Sequence, residues 1–348
     1  MDRALRRVKK IAAEDSRHYI FSMPEQIAIV GTGVSGLTCG VLFAERGDRI
    51  SIFADEIRQQ TTSAAAAAIW YPYDAGPADK VIARALETYK LLVELSQNAH
   101  SGVSMIELRT FSRATEIQIP DWAHALGAKL LPEVATTLCA VSNRPQAGGY
   151  KFKSGFTLNV PLMDTTIYLE YLAKRFAAAG GSLRPNVHFE KLEDVDPAFD
   201  FVINCAGIGA KTLVQDVDLE PHRGQVAIVP KIDNLSCAIV SDDAPLMYAI
   251  PRTNDCVFGG TNELSEDRHV DPVATARIVA ECSRVLNIDA PAVLAERVGL
   301  RPFRKSGVRL ERDKLRDGRT VIHNYGHGGS GFTLSWGCAG EVIDLATL

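Results

Sequence analysis

The sequence predicts an α/β chain in which a Rossmann-like domain is interleaved with a second domain built on a mixed or antiparallel sheet. Three observations carry this. Residues 27–30 form a short apolar strand that enters Gly31-Thr32-Gly33-Val34-Ser35-Gly36, and residues 37–46 read as the helix behind it. A second glycine-rich turn, Gly326-His327-Gly328-Gly329-Ser330-Gly331, runs into an apolar stretch at 333–345 that also reads as a helix. Between the two turns, strand-and-helix segments alternate with segments richer in hairpins and long helices. Two such turns at opposite ends of one chain suggest a single large phosphate-bearing cofactor held from two sides.

At 348 residues the chain has room for about two domains. The segments 24–75, 155–210 and 295–348 group as the cofactor-binding domain, and 76–154 and 211–294 as a substrate-binding domain. Residues 1–23 read as an N-terminal extension, expected to be disordered. It holds Arg3, Arg6, Arg7, Lys9 and Lys10 but no apolar core of the kind a secretory signal needs. With 46% apolar and 23% charged residues, a net charge of −4 and no basic stripe, nucleic acid is not expected as a partner. No apolar run approaches the length of a membrane span. The cysteines at 39, 139, 205, 237, 256, 282 and 338 are odd in number and never spaced Cys-x-x-Cys. They read as buried free thiols in a reducing compartment, not as a disulfide or zinc framework. The chain ends Ala346-Thr347-Leu348, which is not a peroxisomal Ser-Lys-Leu signal, so a cytoplasmic location is expected.

Taken in order, residues 49–54 form the second strand, closed by Asp55. The alanine tract 64–68 reads as helix by propensity. Residues 78–99 form a long amphipathic helix, with Val81, Ile82, Ala85, Leu86, Tyr89, Leu92 and Leu95 at helical spacing. Asp164 reads as the N-cap of a helix reaching 179, closed by Gly180-Gly181. Residues 201–207 are a buried strand ending in small residues. Segments 225–229, 246–250 and 255–258 read as antiparallel strands, 271–286 as a helix and 321–324 as a last strand.

The glycine fingerprint has the required context. Gly31 permits the tight turn, Gly33 admits a pyrophosphate to backbone N–H groups, and Gly36 lets helix and sheet pack closely. Asp55 lies 19 residues beyond Gly36, where a carboxylate accepts from ribose hydroxyls. The motif alone does not separate FAD from NAD.

Further along stand Thr61-Thr62-Ser63, Arg223-Gly224-Gln225, Tyr248-Ala249-Ile250-Pro251, Gly259-Gly260-Thr261, Gly299-Leu300-Arg301-Pro302 and His323-Asn324-Tyr325-Gly326-His327-Gly328-Gly329. From about residue 25 onward this order resembles the D-amino-acid oxidase family, which includes D-aspartate oxidase. The resemblance implies FAD and a two-domain fold. It also implies oxidation of D-amino acids to imino acids, with dioxygen reoxidising the flavin to give hydrogen peroxide. It implies Arg301 as a bidentate carboxylate clamp, Tyr248 as a second donor to that carboxylate, and the Gly329 carbonyl as acceptor for the α-amino group. For the cofactor it implies Gly31, Gly33, Val34, Ser35, Gly36, Asp55, Thr61, Thr62, Ser63, Ala67, Ala68 and Ile69. Cys205, Ala206, Gly207, Arg301, Gly328, Gly329, Ser330, Gly331, Phe332 and Thr333 complete that set. The N–H groups of residues 331–334 and the Thr333 hydroxyl are expected to stabilise charge arising at flavin N1 and C2=O.

His323 and His327 read as loop-ordering residues, and Tyr71 and Tyr73 are expected near the flavin. One departure from the family is Ala244, where longer-lidded members carry a tyrosine. The pocket mouth is therefore expected to be more open. Asp242 and Asp243, if they face the pocket, disfavour acidic side chains, and Arg252 is the residue that would favour them. The expected reaction is oxidative deamination of neutral D-amino acids by direct hydride transfer. A same-fold oxidase of D-aspartate, glycine or another small amine competes with it. The expected partners are a D-amino acid and dioxygen; a homodimer is compatible with this reading.

Overall fold

The computed structural model describes residues 25–131 and 152–348. The N-terminal extension and Cys139 lie outside the described residues. In chain order the first elements are β1 (Gln26–Val30), α1 (Val34–Arg46), β2 (Arg49–Ala54), α2 (Thr62–Ala65) and α3 (Ala78–Leu95). Then come β3 (Val103–Ser112), α4 (Asp121–Ala125), β4 (Lys129–Leu130), β5 (Ser154–Met163), α5 (Thr165–Ala178), β6 (Ser182–Pro185) and β7 (Phe201–Asn204). α6 (Ala210–Leu213), β8 (Leu219–Pro230), β9 (Cys237–Ser241), β10 (Met247–Pro251), β11 (Asp255–Gly259) and β12 (Glu263–Leu264) follow. The chain closes with α7 (Pro272–Leu286), β13 (Ala295–Arg304), β14 (Arg309–Lys314), β15 (Thr320–Tyr325) and α8 (Gly331–Ala346).

Two sheets organise these elements. One has six strands in the order β14-β15-β7-β1-β2-β6, parallel except for the β14–β15 pair. α1, α5 and α8 pack together beside it, and Ile27, Ile29, Phe43, Ile52 and Phe176 are fully or nearly fully buried in the shared core. β1 and β7 are buried almost throughout, as befits parallel strands covered on both faces. The other sheet has nine strands, mixed, in the order β12-β8-β11-β10-β9-β3-β5-β4, with β13 also paired to β8. The α/β class and both sheet types agree with the sequence reading. Two strands cross the anticipated segment boundaries: β5 and β13 fall in segments grouped with the cofactor domain, yet both pair in the nine-stranded sheet.

Most elements follow their local signals. Asp164 caps α5 by accepting from Thr166 N at 3.1 Å, and Gly180, at φ 87°, closes it. Asp271 caps α7 in the same way through Val273 N, with Pro272 at the first helical position. The long amphipathic helix stops at Leu95 rather than 99, with Val81, Ala85 and Leu92 facing the core. The alanine tract departs from expectation. Only residues up to Ala65 are helical; Ala68 sits at φ 55° and Ile69 bridges to Leu162. Trp70 N donates to Pro161 O and Met163 N to Ala68 O, so pairing with the edge of β5 overrides alanine's helix propensity. The thiol reading needs one correction. Cys39, Cys205, Cys256, Cys282 and Cys338 are buried and free, but Cys237 is disulfide-bonded. Sequence spacing carries no information about which thiols the fold brings together. No described helix is long and apolar enough to cross a membrane.

Candidate active site

A cavity of about 680 Å³ runs between the two sheets. One wall is the glycine turn after β1. Gly31 adopts φ 110°, and a Cβ there would lie 2.4 Å from the Cys205 carbonyl oxygen, so only glycine fits. Val34, Ser35, Asp55, Thr61, Thr62, Ser63, Ala67, Ala68 and Ile69 line the same cavity as Gly31 and Gly33, as do Cys205, Ala206 and Gly207. Ser63 Oγ accepts from Val34 N at 3.0 Å, tying the segment after β2 to the start of α1. Asp55 Oδ2 lies 3.0 Å from His188 Nδ1.

The opposite wall is the N-terminus of α8. Ser330 is its N-cap but makes no capping bond; its hydroxyl instead accepts from Tyr73 N and donates to Tyr73 O. Gly328, Gly329, Gly331, Phe332 and Thr333 line the cavity. The backbone N–H groups of residues 331–333 are the helix's orphan donors, so a positive dipole end faces the cavity. Gly328, at φ 52°, lies so near segment 71–74 that a Cβ would fall 1.8 Å from the Asp74 carbonyl oxygen. The Thr333 hydroxyl differs from expectation. It accepts from Tyr71 N at 3.1 Å and donates to Tyr71 O at 3.0 Å, so it staples this segment to the helix and leaves the anion-facing role to backbone N–H groups.

Two expected cofactor residues do not line the cavity. Gly36 instead supports it, since a Cβ there would lie 1.9 Å from the Gly31 carbonyl oxygen. Ser330 is fully buried under the loop it orders. Its place in the staple is invisible to spacing because its partner is Tyr73.

The polar end of the cavity is built on β8, β10, β11 and β13. Arg301 projects from β13 and lies across β8 where Gly224 offers no side chain: a Cβ there would sit 2.4 Å from Arg301 Nη1. Arg301 Nη1 donates to Thr261 O at 2.9 Å and to Asn262 Oδ1 at 3.3 Å, which fixes the fork. Tyr248 is paired with Gly259 across β10 and β11, and its ring occupies the space a Cβ would take at Gly259. Burial raises the Tyr248 phenol pKa, opposed by the Arg301 guanidinium close by. Tyr71 and Tyr73 also line this end, and their phenols are raised chiefly by burial. The Tyr73 hydroxyl accepts from Asn262 Nδ2 at 3.1 Å.

His323 and His327 are buried, and burial depresses both imidazoles to about 4. His323 Nδ1 lies 3.3 Å from Asn204 Nδ2, and His327 Nε2 lies 3.0 Å from Asn324 Oδ1, so both order the β15 end as neutral rings. Asp242 opens into the cavity, but Asp243 does not. Asp243 accepts from Ser112 Oγ at 2.9 Å and from Arg113 N. Arg252 is buried in an ion pair with Asp255, 2.6 Å away, and does not line the cavity. Ala244 lies at the surface, and Leu246 is the apolar residue of its segment that lines the cavity.

The sequence reading quoted Gly224 and Gly259 within motifs but not their part in admitting Arg301 and Tyr248, and it missed the charged residues Glu56, Lys211, Glu266 and Arg268 at the Asp55 end. The pairing of Tyr248 with Gly259 and the passage of Arg301 over Gly224 are matters of strand register, which a string of residues does not display.

A family model for FAD dependent oxidoreductases matches residues 26–345. The chain belongs to the FAD-dependent oxidoreductase family. This oxidoreductase is 36% identical over 324 residues to a D-amino-acid oxidase of Rubrobacter xylanophilus, covering 91% of this chain and 94% of the relative. It is 37% identical over 329 residues to a D-amino-acid oxidase of Streptomyces coelicolor, covering 92% and 97%. Its fold is similar to the crystal structure of glycine oxidase from Geobacillus kaustophilus, with TM-score 0.76 at 18% identity over 93% of this chain and 95% of that one. The cavity fits the family's cofactor. Gly31 and Gly36 in one turn and Gly328 and Gly329 in the other leave no room for a Cβ, and the orphan N–H groups of α8 face the cavity with no partner among the described residues.

Proposed function

We propose that the chain catalyses oxidative deamination of D-amino acids with neutral side chains, yielding 2-oxo acids, ammonia and hydrogen peroxide. The convergence of Arg301, Tyr248 and the open N-terminus of α8 on one cavity is the observation that carries this reading. When bound, FAD would supply the two-electron acceptor for the Cα hydride, with dioxygen as the final oxidant. Arg301 grips the substrate carboxylate with a planar fork, which a lysine would not reproduce. The Tyr248 hydroxyl donates to the same carboxylate. The Gly329 carbonyl accepts from the α-amino group and, with the clamp, fixes which face of Cα is presented. The α8 N–H groups would stabilise negative charge on the bound cofactor.

Burial keeps the Tyr248 phenol neutral, which makes it a poor base and a good donor. Catalysis on this reading is positioning, a contribution that reaches several kcal/mol in well-oriented sites. The six-stranded sheet with α1 and α8 forms the FAD-binding module, and the nine-stranded sheet forms the substrate wall. The test is a peroxide assay on the yellow holoprotein across D-amino acids, with L-enantiomers and glycine as controls. Peroxide from several neutral D-amino acids, matched by 2-oxo acid, supports the reading. Glycine or D-aspartate as the best substrate would assign the competing activity, and NAD-dependent turnover without peroxide would remove the oxidase altogether.

A further inference from the structure

Within the reaction proposed above, and resting on it, we infer that Asp242 selects the side chain and extends the substrate class to D-amino acids with a cationic or hydrogen-bond-donating end. The segment after β9 is pinned by Asp243, through Ser112 Oγ and Arg113 N, and by Arg113 Nη1, which donates to the Pro245 carbonyl at 2.8 Å. With that carboxylate turned to β3, its neighbour Asp242 faces the other way and opens into the cavity that holds Arg301, Tyr248, Tyr71 and Tyr73. Asp242 has no hydrogen-bond or ion-pair partner among the described residues, whereas its neighbour Asp243 is held by Ser112 and Arg113.

The substrate end of the cavity therefore carries two opposite charges with separate duties. Arg301 influences Tyr73 and Tyr248, whereas the carboxylate of Asp242 influences Tyr71 and Tyr73. No cation offsets Asp242: its pKa is raised, first by burial and then by the Asp243 charge. Asp242 is itself solvent-exposed, beside exposed Ala244, and lines the cavity from its mouth. An unpaired carboxylate that a ligand must desolvate is costly beside an apolar side chain, more costly beside an anion, and favourable beside an ammonium or guanidinium group. Arg301 is engaged by the substrate carboxylate, so the vacant partner of Asp242 is the distal end of the side chain.

The experiment compares kcat/KM for near-isosteric pairs, D-lysine with D-norleucine and D-glutamine with D-glutamate, in the holoenzyme and in Asp242→Asn. We expect D-lysine to exceed D-norleucine in the wild type. In Asp242→Asn that ratio should fall about two- to fivefold, the range of one solvent-exposed ion pair. The D-glutamate to D-glutamine ratio should rise. Asp242→Ala provides a second variant with no polar replacement. Ratios that stay where they are in both variants overturn the inference. So does an equal loss for every substrate, since that outcome assigns Asp242 to the common α-amino group. Failure of the wild type to oxidise any D-amino acid would overturn the parent reading instead, and is told apart by that breadth.

Discussion

Arg301 reaches the cavity because β8 carries no side chain at Gly224, and Tyr248 lies flat because β11 carries none at Gly259. The charge and the phenol are thus positioned by absences on neighbouring strands. Arg301→Ala should weaken apparent D-amino-acid affinity by about 10- to 150-fold, the equivalent of roughly 1.5–3 kcal/mol, with FAD content unchanged. Steady-state kinetics beside a flavin-to-protein absorbance ratio checks this. Gly224→Ala should mimic part of that loss, because the new methyl would displace the guanidinium. Tyr248→Phe removes a single donor, so a loss of about tenfold or less is expected. A drop beyond about a thousandfold would match removal of a general base and contradict the positioning account.

At the scale of elements, the strap between β12 and α7 spans from the nine-stranded sheet to the far end of the cavity. Glu266 pairs with Lys211 at 2.7 Å, and Arg268 pairs with Glu56, next to Asp55. The strap's backbone is anchored on the other side by Arg223, which donates to Asp267 O at 2.9 Å and His269 O at 2.6 Å. The two ion pairs are exposed, so each contributes at most about 1 kcal/mol and is screened by salt. Arg268→Ala should therefore raise the FAD dissociation constant by only a few-fold and reduce its dependence on ionic strength. Titration of apoprotein with FAD, followed by protein fluorescence at low and high salt, measures both. An unchanged affinity and salt slope would remove the strap from cofactor binding. Elements with local signals were legible in the sequence: the glycine turn and α1, the Asp164 cap of α5, and the Asp271-Pro272 start of α7. The alanine tract was not, because its fate depends on Pro161 and Leu162, nearly a hundred positions on. The charged strap escaped notice for the same reason: its ion-pair partners, Lys211 in α6 and Glu56 after β2, lie 55 and 212 positions away.

For the whole molecule, burying His323 and His327 couples stability to pH. Both imidazoles fall to about 4 in the folded chain, against an ordinary value of about 6.5. Between those values the unfolded chain binds more protons, so stability rises with pH there. The contribution is fully present above about pH 6.5 and is lost as pH falls toward 4. A shift of this size is of order 3 kcal/mol per histidine. Thermal melting of apoprotein across that window should show a steeper fall for the wild type than for His323→Gln or His327→Gln, and equal slopes would contradict it. The site as a whole was partly legible. Two glycine turns, Arg301 and Tyr248, picked out by their motifs, line one cavity, whereas the inward turn of Asp242 and the diversion of the Thr333 hydroxyl to Tyr71 emerge only from packing. The most direct test of the account is anaerobic mixing of the holoprotein with matched D- and L-amino acids while flavin absorbance is followed. The account predicts that the D-enantiomer bleaches the flavin and the L-enantiomer does not, and that Arg301→Ala bleaches only at much higher D-amino-acid concentration. Equal bleaching by both enantiomers, or an Arg301→Ala response indistinguishable from the wild type, would contradict it.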